Sequence, residues 1–149
     1  MRTALILLLC LYATSCDRGS TTAGMISRAG TYASPDGRHT LSVTVTADGI
    51  VKYSVSDAAT GKSVASGGGF STHHRWFFHW DAQDRLWTYN SDTGPFAVHE
   101  EASPGQWRVT TIDASSPLLA SMPPPVHDHL PDTMKQILKL NSDGPANTR

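Results

Sequence analysis

The densest run of aromatic residues in this chain lies between residues 70 and 96, and it holds three of the four Trp. Within this run, Trp76, Phe78 and Trp80 recur at every second position and alternate with the polar residues Arg75, His79 and Asp81, which is typical of a β-strand with one buried face. A second strand with the same period is predicted over residues 86–90, after a short polar turn. The sequence therefore predicts an aromatic β-hairpin at the centre of the domain.

The register of this hairpin decides which aromatic rings meet, because a slip of one residue moves a whole strand's apolar set to the other face. We expect a turn of two or four residues. It would place Trp80 opposite Trp87 and Phe78 opposite Tyr89, so that these large rings share one buried face. Such cross-strand aromatic pairs contribute roughly 0.2–1 kcal/mol each.

The same register leaves an outward face on which Arg75, Phe77 and His79 lie together, with Thr88 and Asn90 on the neighbouring strand. Phe77 would be an exposed aromatic side chain between a cation and a histidine. Interfaces concentrate their binding energy in a few aromatic and Arg side chains. We therefore predict that Arg75, Phe77 and His79 form a contact surface for a protein partner.

The first sixteen residues have the organisation of a secretory signal peptide. Arg2 gives a basic start, an apolar run extends from Ala4 to Tyr12, and small residues precede Cys16. An apolar run of this length is too short to span a bilayer. A Cys directly after small residues resembles the lipobox of bacterial lipoproteins, and this resemblance implies cleavage after residue 15 and lipid attachment at Cys16. The alternative is an ordinary signal peptide in which Cys16 has no special role.

Cysteine usage favours the lipoprotein interpretation. Cys10 lies inside the apolar run and would be removed, so the mature chain would keep Cys16 without a partner for a disulfide. Asp17 resembles a signal for retention in the inner membrane, although the choice between inner and outer membrane stays open. We interpret residues 16–30 as the lipidated Cys and a flexible tether.

Residues 31–112 have the pattern of an antiparallel β domain. The clearest hairpin covers residues 39–56, where a three-residue loop with Gly49 at positive φ would place Val45 opposite Val51. The predicted fold is mainly β, an antiparallel meander of seven or eight short strands with one C-terminal α-helix. A sheet with one apolar face needs a cover, so the strands must form a small sandwich or a barrel-like sheet.

The remaining chain changes character after residue 112. Residues 113–130 are rich in proline and predict an extended, polyproline-like strap. A C-terminal helix is predicted over residues 131–141, followed by a loose tail at 142–149. The helix has an apolar stripe at i, i+4, i+7 and i+8 spacing, made of Leu130, Met134, Ile137 and Leu138.

Composition and motifs exclude several function classes. The formal net charge is −1, and no Lys/Arg cluster is present that could neutralise several phosphates, so no nucleic-acid partner is expected. The seven His lack a third ligand at zinc spacing, and we expect them to be exposed and to bind no metal or cofactor. No nucleophile elbow occurs, and Glu100 and Glu101 would point to opposite faces of a strand. We therefore expect a protein that is not an enzyme.

These observations favour a periplasm-facing envelope lipoprotein that binds another envelope protein without catalysis, for example as an inhibitor or immunity-type protein. Its membrane contact would be the lipid on Cys16. The alternative is a β-barrel or sandwich lipoprotein that binds a small ligand or carbohydrate, and an enzyme of unknown class comes third.

Overall fold

The computed structural model describes residues 24–93 and 96–140, and these form two antiparallel four-stranded meanders followed by short helices. The first sheet has the order β1-β2-β3-β4 and the second β5-β6-β7-β8. The strands are β1 Gly30–Ala33, β2 His39–Val45, β3 Ile50–Asp57, β4 Ser63–Ser71, β5 Trp76–Trp80, β6 Leu86–Asn90, β7 Phe96–Ser103 and β8 Gln106–Thr111. The prediction of a mainly β antiparallel meander is confirmed.

The hairpin between β2 and β3 has the predicted register. Val45 pairs with Val51 across the loop, and Gly49 takes a φ of 76°. This left-handed conformation suits glycine, which has no Cβ to clash. The hairpin's apolar side chains therefore lie on one face, where Leu41 and Val51 are fully buried.

The aromatic hairpin between β5 and β6 has a different register from the predicted one. Trp80 pairs with Leu86 and His79 with Trp87, so the pairing is shifted by one residue from the predicted register. The physical reason is a three-residue loop whose last residue, Asp84, takes a φ of 58°. Because this loop has an odd number of residues, Trp87 lies on the opposite face of the sheet from Trp80.

The second sheet is consequently buried on both faces. Its inner face, carrying Trp76, Phe78 and Trp80, packs against the first sheet in one hydrophobic core. Its outer face, carrying Phe77 and Trp87, packs against the C-terminal helices in a second core. The architecture is thus a two-sheet sandwich with a helical layer over the second sheet, which resolves the alternative of a barrel.

The proline-rich region is helical where an extended strap was predicted. A 3-10 helix, Pro117–Ser121, is followed by α1, Pro124–His129, and α2, Asp132–Ile137. Proline fits these elements because each begins with Pro or directly after one, where a missing N–H costs nothing. The C-terminal helix predicted over residues 131–141 is present as the shorter α2, whereas α1 lies within the predicted strap.

The predicted apolar stripe of the C-terminal helix is only partly buried. Leu130 and Leu138 are buried in the outer core, and Met134 packs against it. Ile137 is 65% exposed. The break between α1 and α2 at Leu130 and Pro131 removes the single helical axis on which the four-residue stripe depended.

The segment directly before β1 also packs against the sandwich, although a flexible tether was predicted over residues 16–30. Ile26 and Phe78 exchange two backbone hydrogen bonds of 2.8 Å, so Ile26 forms an isolated β-bridge with β5. Ile26 is buried in the inner core and Met25 contacts the outer one. The signal peptide, Cys16, Asp17 and the tail at 142–149 lie outside the described residues.

Candidate functional site

The predicted partner surface of Arg75, Phe77 and His79 does not form on the outside of the protein. Arg75 is exposed, but Phe77 is 1% exposed and His79 is also buried. The helical layer covers this face of the sheet, and the ring of Phe77 lies 5.4 Å from that of Tyr89 and 6.1 Å from that of His129. The prediction that Phe77 is an exposed contact residue is wrong.

The histidines are also more buried than predicted. His39, His79, His99 and His127 are buried, whereas His73, His74 and His129 are exposed. Within residues 24–93 and 96–140, no group of three or more His, Cys, Asp or Glu side chains is arranged to hold a metal ion. The burial of His99 matters most, because it places a titratable ring between the two sheets.

A polar cleft lies between the sheets, at the side where the edge strands β4 and β8 approach each other. It has a volume of about 260 Å³ and is partly open to solvent. The side chains that define its walls are Tyr53, Phe70, Phe78, Thr88, Asn90 and His99. Among residues 24–93 and 96–140, no Asp, Glu, Lys or Arg lines this cleft.

One hydrogen bond joins the two sheets inside the cleft. The hydroxyl of Tyr53, on β3, lies 3.0 Å from Nε2 of His99, on β7, and the two rings are nearly perpendicular at 89°. Gly67 on β4 makes this position of Tyr53 possible. A Cβ at residue 67 would lie 2.6 Å from the Tyr53 hydroxyl oxygen, so only glycine leaves room for the ring.

Both members of this pair are uncharged at neutral pH. Burial lowers the pKa of His99 to about 4, because the imidazolium form loses its hydration. Burial raises the pKa of Tyr53 to about 12, because the phenolate form is disfavoured in the same way. At pH 7 the pair can therefore donate and accept hydrogen bonds without carrying charge.

Several polar groups in the cleft have bonding capacity to spare. Nδ1 of His99 is buried and has no hydrogen-bond partner among the described residues. Asn90 uses its Oδ1 to accept two bonds of 2.8 Å from Thr93, and no bond from its amide nitrogen is found in the described part of the chain. The Thr88 hydroxyl makes one long bond of 3.4 Å to the carbonyl of Ala97. The Asn90 amide and the Thr88 hydroxyl could serve a ligand, whereas Nδ1 of His99 is closed off from solvent.

Sequence reasoning missed this site because its residues come from strands of two different sheets. The predicted register turned Thr88 and Asn90 outward, away from the sandwich interior. The available signal was the polar character of Thr88, Asn90 and His99 on strands that are otherwise apolar. Polar residues at buried strand positions need partners, and this requirement marks them as candidates for a site.

Charged groups gather instead at the turn end of the aromatic hairpin, in a pocket of about 340 Å³. Arg38 forms an ion pair with Asp36 and a second one, of 3.4 Å, with Glu101 on the second sheet. The backbone N–H of Asp36 donates a hydrogen bond of 2.9 Å to the carboxylate of Asp84. Although partial burial alone would raise the pKa of Asp36, hydrogen bonds from Ser34 and Arg38 hold it below its usual value. Because these charges pair with each other, we interpret the cluster as a link between the sheets.

An open apolar groove of about 520 Å³ lies between Ala82 and the Pro123–Pro125 segment. It offers few polar groups to orient a ligand.

No helix in the described part of the chain is long and apolar enough to span a bilayer.

No family model matches the chain, and neither the curated proteins nor the solved structures that were compared gave a significant match. The class of the protein is therefore defined by its own fold and site. It is a two-sheet antiparallel β-sandwich with a helical layer and an uncharged polar cleft between the sheets.

Proposed function

We propose that this protein is a lipid-anchored, periplasm-facing binding protein of the bacterial cell envelope, and that the cleft between its sheets holds a small neutral ligand. The observation that supports the binding role is the Tyr53–His99 hydrogen bond, which crosses a cleft that none of the described Asp, Glu, Lys or Arg residues lines.

The envelope location follows from the sequence before the domain. The lipobox-like segment ends at Cys16, and seven residues separate it from Gly24. A chain spans at most about 3.6 Å per residue, so these eight steps reach about 29 Å at full extension. Since Ile26 pairs with Phe78 of β5, the tether is short and would keep the sandwich close to the membrane.

The pKa values favour binding over acid–base catalysis. A general acid or base works best when its pKa lies near the operating pH. His99, with a pKa of about 4, and Tyr53, with a pKa of about 12, both lie far from neutrality. The pair is suited to orient a ligand by hydrogen bonds, as in binding sites that combine apolar walls with a few placed polar groups.

A matched pair of substitutions on β7 tests the cleft. Ala97 is buried and lines the cleft, whereas Ala102 is exposed on the same strand. The full-length protein, extracted from envelopes in mild detergent, would be analysed by native mass spectrometry for bound small molecules. We expect wild type and Ala102→Leu to carry a neutral ligand that Ala97→Leu lacks. Equal occupancy in all three proteins would contradict binding in the cleft.

A protein partner is the second candidate, and the outer edge of β8 supports it. Val109 on this strand is 58% exposed. The N–H of Ile112 donates to the carbonyl of Phe96 on β7. In an antiparallel pair, every second residue points its N–H and C=O groups to the partner strand. The backbone groups of Val109 and Thr111 therefore point away from β7. Such an edge can accept an extended peptide as an additional strand.

A charge placed on this edge would block strand addition. Val109→Lys should lose an envelope protein that wild type captures, whereas Val45→Lys, which replaces an exposed Val of the first sheet, should retain it. Capture of the same protein by both variants would exclude the β8 edge as the contact.

A further inference from the structure

We infer that the ligand of the cleft between the sheets is a neutral sugar, either a free monosaccharide or the terminal unit of a glycan. This inference rests on the proposed binding function of the cleft and specifies its ligand class.

The first argument is charge. None of the described residues that line the cleft is Asp, Glu, Lys or Arg, and His99 is neutral. Removing a charged group from water without an opposite charge is costly. A carboxylate, phosphate or ammonium group would find no counter-charge here, so amino acids, nucleotides and acidic sugars fit the cleft poorly.

The second argument is the type of hydrogen-bonding group. Hydroxyls of Tyr53, Thr88 and Thr111 and the amide of Asn90 line the cleft, and each of these groups can both donate and accept. A ligand with several hydroxyls at different positions matches this wall.

The third argument is the apolar wall. Phe70 and Phe78 line the cleft with ring centroids 6.4 Å apart, and the Tyr53 ring lies 4.9 Å from Phe78. A sugar ring carries C–H groups on its faces and hydroxyls around its edge. Phe70 and Phe78 are buried, so the ring that a sugar can contact with its C–H groups is the half-buried Tyr53, while the sugar hydroxyls reach the polar groups.

The fourth argument is size and access. The volume of about 260 Å³ lies just below the range of roughly 300–1,000 Å³ typical of sites for drug-sized ligands, which suits one sugar ring rather than several. The exposed residues Gly68 and Val109 lie at the rim, on β4 and β8. A glycan could therefore enter with its terminal unit and leave the rest of its chain outside.

The test uses the full-length protein in mild detergent and isothermal titration with D-glucose, D-galactose, D-mannose and N-acetyl-D-glucosamine, with D-glucuronate as the charged comparison. We expect saturable binding of at least one neutral sugar and at least tenfold weaker binding of glucuronate. Thr88→Val removes one cleft hydroxyl at constant shape and should weaken the neutral sugar at least tenfold. Thr110→Val, on the opposite face of β8, should bind like wild type.

Two results would overturn the sugar assignment. One is glucuronate binding as tightly as the best neutral sugar, and the other is no sugar binding while the native mass spectrum still shows a neutral non-sugar ligand that Ala97→Leu lacks. In the second case the cleft remains a binding site and only the ligand class is wrong. If no sugar binds and Ala97→Leu and wild type carry the same molecules, both the sugar assignment and the proposed function are wrong.

Discussion

The indole Nε1 of Trp87 donates a hydrogen bond of 2.8 Å to Oδ2 of Asp81, and both side chains are buried. The same carboxylate accepts bonds from the backbone N–H groups of Gln83 and Arg85 and from Nε of Arg85 at 2.7 Å. One buried charge therefore fixes the turn between β5 and β6 and orients the largest side chain of the outer core.

Asp81→Ala should destabilise the protein strongly, because it removes the acceptor of the Trp87 indole and of Arg85 Nε and leaves the mostly buried Arg85 charge without its carboxylate. Breaking a buried ion pair by removing one partner costs about 3–5 kcal/mol. Asp48→Ala, in the exposed turn between β2 and β3, is the matched control and should cost less than about 1 kcal/mol. Urea denaturation measures both, and similar small losses would contradict a central role for Asp81.

Phe77→Ala should reduce the free energy of unfolding by about 3–5 kcal/mol, the range for truncating a buried aromatic side chain. Its neighbour Arg75 is exposed, so Arg75→Ala should stay within about 0.5 kcal/mol. Denaturant midpoints of the two variants distinguish a core residue from a surface residue. A stable Phe77→Ala protein would mean that the helical layer does not cover this face.

Gly67→Ala should destabilise the sandwich by about 1–3 kcal/mol, the usual cost of overpacking. The new Cβ would collide with the Tyr53 ring and displace its hydroxyl from His99. In a Tyr53→Ala background the ring is absent, and the same glycine substitution should be nearly neutral. A double-mutant cycle measures this coupling, and additive effects would show that Tyr53 is not the group that requires glycine.

Stability should fall as the pH decreases from about 6.5 to about 4. The pKa of His99 is about 4 in the folded protein, against 6.5 as its ordinary value, so the unfolded chain binds a proton first in this window. Burial also lowers the pKa of His79, which adds a loss of the same sign. Below about pH 4, His99 is protonated in both states and contributes no further change.

His99→Gln should remove part of this pH dependence, on the order of 3 kcal/mol between pH 7 and pH 4 at most. His73 is exposed, so His73→Gln should leave the pH dependence as in wild type. Chemical denaturation at several pH values measures the slope for each protein. The same slope in wild type and His99→Gln would contradict the burial of a neutral His99.

Cys16→Ser should abolish lipid attachment, because the serine hydroxyl cannot form the thioether. Cys10→Ser is the control, since Cys10 lies in the segment that cleavage would remove. Metabolic labelling of cells with a clickable fatty acid should mark wild type and Cys10→Ser but not Cys16→Ser. Labelling of Cys16→Ser at the wild-type level would show that the lipid is elsewhere.

Two turns of the same length show how far the sequence could be interpreted. In the β2–β3 turn the left-handed position is Gly49, with a φ of 76°, and in the β5–β6 turn it is Asp84, with a φ of 58°. Glycine at such a position is a strong signal, and it gave the correct register for the first hairpin. Aspartate takes this conformation far less often, so the second register could not be predicted from local preference alone.

The alternation of apolar and polar residues determined by itself that this chain forms an antiparallel β meander, because a strand repeats every two residues whatever surrounds it. Which faces are buried was decided only by the tertiary structure. Phe77 lies in a core because distant helices cover its sheet, and Tyr53 meets His99 because two sheets pack face to face. Such contacts join residues far apart in the chain, and no local pattern encodes them.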